Sequence, residues 1–145
     1  MKKKMNNKGF TLVELIVVLV ILAILAAILV PTLMGYIDRA KKEKDFSTAQ
    51  TVRVAYQSAL AEAYAKWDGQ GNLSDKVDAS NVWKLVGATP GEGTAATLDG
   101  VAVSYKDVEL SKDGTYQIMK MTVTIAGHDY KLENNVWSGE TAASE

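Results

Sequence analysis

Glu14 is the side chain whose type and position promise the most chemistry. It is an ionisable carboxylate set among Phe10, Leu12 and Val13 on one side and the run Leu15–Val30 on the other, in which no side chain is polar. A carboxylate in apolar surroundings is costly unless it is protonated, reaches back to a polar interface, or meets an opposite charge. The other candidates carry weaker signals. His128 is the only histidine and stands beside a turn signal, so it is expected to be a solvent-exposed loop residue. Asp75 and Asp78 offer oxygens for calcium, but two acids three apart in a loop are a weak pattern for that ion. Asp99, Asp107 and Asp113 read as turn and edge residues, and Trp67, Trp83 and Trp137 as core or cover. There is no cysteine, which excludes a lipid-modified cysteine anchor, disulfides and thiolate metal sites. With no nucleophile–base pair and no phosphate loop, the expectation is no catalytic residue, no metal site, no cofactor and no enzymatic activity.

Charge narrows the partners. The 145 residues carry 16 bases and 17 acids, and Lys2, Lys3, Lys4 and Lys8 all precede the apolar run. Without those four lysines, 12 bases face 17 acids, a formal charge of −5. A surface of that sign disfavours nucleic acid as a bulk partner and leaves apolar contact as the means of self-association.

Glu14 can be placed only by the element that carries it. A helix from Phe10 to Met34 would be roughly 37 Å long, enough to cross a bilayer core of about 30 Å. The uninterrupted length argues for helix over a buried strand, despite the Val, Ile and Leu content. Pro31 removes one intrahelical hydrogen bond near the far end and Gly35 follows it, so a kink or a stretch able to unwind under load is expected there. A cleavable secretory signal would be shorter, would lack the acid and would end in a small-x-small site, which Ala23, Ala26 and Ala27 do not provide. The lysines before the run predict a cytoplasmic N-terminus, but Arg39, Lys41, Lys42 and Lys44 flank the other end, so charge alone leaves the orientation tied.

The run Lys8-Gly9-Phe10-Thr11-Leu12-Val13-Glu14-Leu15, leading straight into the apolar helix, closely resembles the class III signal of type IV pilins. The resemblance covers Lys8 to about Ala40. It implies that a prepilin peptidase cuts between Gly9 and Phe10 on the cytoplasmic side and that the new amine of Phe10 is methylated. It makes Glu14 the family's helix-embedded glutamate and Pro31 its helix-kinking proline. A positive amine on Phe10 of one subunit and Glu14 of its neighbour could then set axial register, while the Leu15–Val30 surface supplies non-directional packing. Many pilins close a C-terminal loop with a disulfide; this chain, like cysteine-free pilins of Gram-positive bacteria, cannot.

Beyond the apolar run, Phe46, Ala49, Val52, Tyr56, Ala59, Leu60, Ala63 and Trp67 recur at three- and four-residue spacing, which predicts helix to about Trp67 with one buried stripe. The mixed-charge run from Asp38 to Asp45 reads as a solvated face. Gly69, Gly71 and Asn72 end the helix, Ser80 is expected to cap a short helix through Leu85, and Gly87 to Gly100 reads as a loop. The period then changes to two: Val101, Val103 and Tyr105 alternate, as do Met119, Met121, Val123 and Ile125. Asp113-Gly114 is a strong hairpin signal, with Gly127-His128 and Asn134-Asn135 weaker.

The expected fold is therefore α+β: a long N-terminal helix, apolar then amphipathic, packed against a small antiparallel sheet of three or four strands. The expected organisation is a leader at 1–9, a transmembrane and filament-core helix at 10–35, a globular domain at 36–137 and a flexible tail at 138–145. The resemblance implies a pilus subunit stored in the bacterial cytoplasmic membrane and assembled outside the cell. The implied partners are copies of itself, the prepilin peptidase, a pilus assembly platform and, before assembly, lipid. Two alternatives stay open: a minor pilin or a pseudopilin of a type II secretion or DNA-uptake system, and a single-pass anchored binding module left uncleaved.

Overall fold

The computed structural model describes residues 9–142, and side chains up to residue 139; the lysines of the expected leader and the last three residues of the expected tail lie outside it. The chain forms two compact units, one ending at Lys41 and the other beginning at Lys42. Helix α1, Leu12–Ala65, supplies residues to both. It starts two residues later and stops two residues earlier than the sequence predicts, at a C-terminal end where Lys66 and Trp67 already bond to carbonyls three residues back.

In the unit that begins at Lys42, the predicted stripe faces the core. Ala49, Val52, Tyr56, Ala59 and Leu60 are buried, and Phe46, Ala63 and Trp67 are partly buried beside them. The sheet they cover is a six-stranded antiparallel meander in chain order: β1 (Thr89–Pro90), β2 (Ala95–Leu98), β3 (Val101–Leu110), β4 (Ile118–Ile125), β5 (His128–Glu133) and β6 (Val136–Ala142). Val103, Tyr105, Ile118, Met121, Val123, Ile125, Tyr130 and Leu132 join them from the sheet, and Leu73, Val82 and Trp83 from the segment between helix and sheet. Tyr56 meets Tyr105 edge-on at 5.3 Å, and Phe46 meets Trp137 edge-on at 6.0 Å. Arg53 donates to the Asn135 side chain between β5 and β6, a further tie from helix to sheet.

The sheet has more strands than the three or four expected. Two of them, β1 and β2, lie in the Gly87–Gly100 stretch that reads as a loop. Neither has the β-branched run that marks a strand; β2 exists through its register on β3, Ala96 opposite Val103 and Leu98 opposite Val101. The third, β6, continues through Ser138 to Ala142, where fraying was expected, because β5 gives it a ladder from His128–Ala142 to Glu133–Val136. The alternation in β4 is also interrupted. Ile118 and Met121 are buried while Met119 points out, because the β3–β4 pairing carries register shifts on either side of Glu109. Asp107, at φ 55°, sits in one of them.

Tight turns fix the meander. Asp99-Gly100, Ala126-Gly127 and Asn134-Asn135 each have positive φ at both residues, the two-residue hairpin geometry that matches strand twist. The second turn thus lies one residue before the Gly127-His128 pair that the sequence suggests, and His128 begins β5 as an exposed residue. In the β3–β4 loop, Asp113 accepts from the Thr115 amide at 3.0 Å and hydroxyl at 2.6 Å, and hydrogen bonds from Thr115 and Ser111 hold its carboxyl down at about 2. The short helix α2, Ala79–Val86, is capped by Asp78, which accepts from the Ser80 amide at 2.8 Å; Ser80 itself is not the cap.

Among the described residues, Asp129 is the buried charge of the sheet. Asp129 is only 4% exposed, accepts from Thr124 Oγ1 at 2.5 Å and lies 3.2 Å from Lys106 Nζ. Burial pushes its carboxyl up, but the hydrogen bonds from Thr124 and Lys106 and the charges of Lys106 and Lys131 outweigh that, and it lies below 3.8. A carboxyl depressed in the folded state stabilises the fold above its unfolded value, and that contribution is lost as pH falls through the folded value. Asp129→Asn is therefore expected to lower the melting temperature at pH 7 by about 5 °C, corresponding to about 1 kcal/mol. The deficit should shrink below about pH 4, the ordinary carboxylate range. Circular dichroism melts from pH 7 to 3 check this; parallel curves for the two chains would refute it.

Candidate assembly site on the N-terminal helix

Helix α1 begins where Thr11 and Glu14 bond each other. The Thr11 amide and hydroxyl donate to Glu14 Oε2 at 2.9 and 2.8 Å, and the Glu14 amide donates back to Thr11 Oγ1 at 3.3 Å. This is a reciprocal capping box: Thr11 occupies the position before the helix and Glu14 its third residue. Two backbone donors that the helix start would leave unpaired are thereby satisfied. The function of Thr11 escapes a reading that looks only at the apolar run. Its signal, a threonine followed three residues later by glutamate at the head of an apolar stretch, is nevertheless present in the sequence.

The arrangement uses one oxygen of Glu14 for capping, so the carboxylate is oriented along the start of the helix. Gly9 and Phe10 precede the helix as irregular backbone, and Phe10 is 90% exposed. Gly9 and Phe10 therefore lie outside the helix and next to its cap, and the amide of Thr11 separates Phe10 from the Glu14 carboxylate.

From Leu15 to Val30 every large apolar side chain is between 48% and 65% exposed. The exposure does not alternate from one face to another, so no face of this stretch is covered by the described residues. Among the described residues this is the one helix long and apolar enough to cross a membrane, by length and composition. Pro31 lies inside the helix without ending it. It leaves the Ala27 carbonyl without its intrahelical donor. Thr32 Oγ1 donates to the Leu29 carbonyl at 2.8 Å in the same turn, and a Cβ at Gly35 would meet nothing within 4 Å.

The remaining sequence candidates do not gather. Asp78 is occupied as the α2 cap, and Asp75 faces the Asn72 amide at 3.4 Å. Among the described residues no group of three histidine, aspartate or glutamate side chains is placed to hold a metal ion. Trp83 is core, while Trp67 and Trp137 are partly buried cover.

Comparison with known proteins bears on the same segment. Residues 4–30 match the family described as the prokaryotic N-terminal methylation motif. The chain is 35% identical to a fimbrial protein of Moraxella nonliquefaciens over 65% of its own length and 60% of that protein's. It is 30% identical to a fimbrial protein of Pseudomonas aeruginosa, over 77% of its own length and 66% of that protein's. It is 31% identical to the type IV major fimbrial protein FimA of Dichelobacter nodosus, over 70% of its own length and 82% of that protein's. The match to the first two thus spans about three-fifths to two-thirds of their lengths. No solved structure matches the chain.

Proposed function

This chain belongs to the type IV pilin family of fimbrial proteins, and we propose that it is the filament-building subunit of a type IV pilus. The observation that carries this reading is the apolar surface of α1, exposed all round from Leu15 to Val30. Such a surface needs either lipid or other copies of the same helix around it. Storage in the bacterial cytoplasmic membrane supplies the first, with the N-terminus cytoplasmic. A helical filament of packed α1 segments supplies the second. Passing from one to the other exchanges one apolar environment for another, so the transfer needs little net hydrophobic free energy.

In this reading residues 1–9 are the leader, removed by a prepilin peptidase between Gly9 and Phe10, and Phe10 is methylated on its new amine. Residues 10–35 form the filament core and residues 36–137 the outward domain. The amine of Phe10 pairs with Glu14 of a neighbouring subunit, fixing how far one helix slides along the next. Hydrophobic packing cannot do that, because Leu, Ile and Val contacts along a uniform apolar cylinder are nearly equivalent at successive registers. Pro31 and Gly35 give the helix a local site of yielding. An assembly platform draws the processed subunit out of the membrane.

The test is the N-terminal peptide of the protein in filaments sheared from the source cells, weighed by mass spectrometry. A peptide that begins at Phe10 and carries one added methyl is expected. A chain that keeps residues 1–9 and stays in the membrane would instead make it an anchored binding module. A processed chain absent from long surface filaments would assign it to a secretion or DNA-uptake machine.

A further inference from the structure

We propose that the cleft between the end of α1 and the β3–β4 hairpin is a binding subsite for a neutral saccharide unit. The cleft encloses about 460 Å³, within the size range of small-molecule sites. One wall is aromatic. Trp67 and Tyr116 form it, edge-to-face with centroids 5.6 Å apart. Tyr64, which does not line the cleft, packs on both, 5.4 Å from Tyr116 and 6.3 Å from Trp67. Trp67 Nε1 donates to the Gln70 carbonyl at 2.8 Å, which sets the plane of the indole before any ligand arrives.

The rest of the lining is mixed: Leu73, Val108 and Leu110 add apolar surface, and Asn72, Ser74, Glu109 and Lys112 supply polar groups. These groups decide between ligand classes. The three rings already touch one another, so no cation fits between their faces as it does in an aromatic cage. The two charges on the rim, Glu109 and Lys112, are opposite, and Glu109 also faces Lys120 at 3.5 Å. The lining's own two charges thus cancel formally, unlike the cluster of bases that a phosphate or a polyanion calls for. What matches is a ligand with a flat apolar face for the indole and hydroxyls around its edge. Asn72 and Ser74 both donate and accept, Glu109 accepts and Lys112 donates, which serves hydroxyls in either sense. A pyranose ring has that combination of face and edge.

This inference does not rest on filament assembly, since every residue it uses lies in the unit that begins at Lys42. The full chain, held in micelles of a polyoxyethylene detergent, would be titrated with maltotriose, cellotriose and the trimer of N-acetylglucosamine. Tryptophan fluorescence and saturation-transfer NMR follow binding, and inorganic phosphate and choline serve as ionic probes. At least one trisaccharide is expected to give a saturable response, with none from phosphate or choline. Trp67→Ala and Asn72→Ala should each weaken it by about threefold to tenfold, the loss of one stacking or hydrogen-bonding contact. Asn72 is exposed, so Asn72→Ala decides the matter if the tryptophan variant melts early. No saturable response to any of the three sugars would overturn the proposal, as would unchanged affinity in Asn72→Ala or a preference for either ionic probe.

Discussion

Glu14→Gln is expected to give chains that are still cut after Gly9 yet yield at least about a hundredfold fewer filaments, the loss matching about 3 kcal/mol for one broken buried ion pair. The substitution is chosen because glutamine keeps the shape of glutamate and serves equally well at the third position of a capping box. The hydrogen bonds with Thr11 can therefore persist while the charge is removed. In the proposed filament, the amine of a neighbouring Phe10 would then be surrounded by apolar side chains with no counter-charge. Thr11→Ala is the complementary change. It leaves the carboxylate and removes its capping partner, at about 1 kcal/mol of helix-start stability, so filament yield should fall only by about fivefold. Counting filaments by electron microscopy beside a peptide-mass assay of cleavage separates the two roles. Normal filaments from Glu14→Gln with severe loss in Thr11→Ala would make Glu14 a helix cap and nothing more.

The second large effect concerns the core under the sheet. Trp83 on α2 is fully buried, and its ring lies 5.4 Å from that of Tyr105. Removing it leaves a cavity in a small core, and Trp83→Ala is expected to cost about 3–5 kcal/mol. That is a large share of the stability of a domain this size, so the near-ultraviolet circular dichroism of the folded unit should collapse near 37 °C. Trp83→Phe should behave differently. Among the described residues Trp83 Nε1 has no hydrogen-bond partner, and a buried unpaired donor costs about 1–3 kcal/mol. Phenylalanine loses packing but also removes that donor, so Trp83→Phe should lie within about 1.5 kcal/mol of the parent in urea titration. Equal destabilisation by both variants would mean that the indole N–H is satisfied after all.

Tyr56 and Tyr105 report on the same core. Burial is the main reason the Tyr105 hydroxyl is pushed up to about 12, and it pushes Tyr56 higher still. Both rings stay neutral through the physiological range, as their contact between α1 and β3 in the core requires.

The features with a local cause were legible in the sequence. An apolar run of this length is helical and membrane-compatible whatever surrounds it, and the Lys8–Leu15 motif is contiguous. The stripe from Phe46 to Trp67 repeats at helical spacing because the same face is buried turn after turn. Even the capping box could be read from Thr11 and Glu14 alone. The sheet was different. β1 and β2 have no strand signal of their own and exist because β3 offers them a ladder. β6 persists past Ser138 because β5 does the same. Met119 faces outward because the pairing slips beside Glu109, and a period-two pattern read along one strand cannot contain a slip set by its neighbour. The cleft beside Trp67 likewise joins residues from Trp67 to Tyr116, brought together only when the hairpin folds back over the end of the helix. Sequence determined what each segment would bury or expose by its own periodicity; tertiary structure decided which segments pair, because a backbone hydrogen bond between strands depends on a partner distant in the chain.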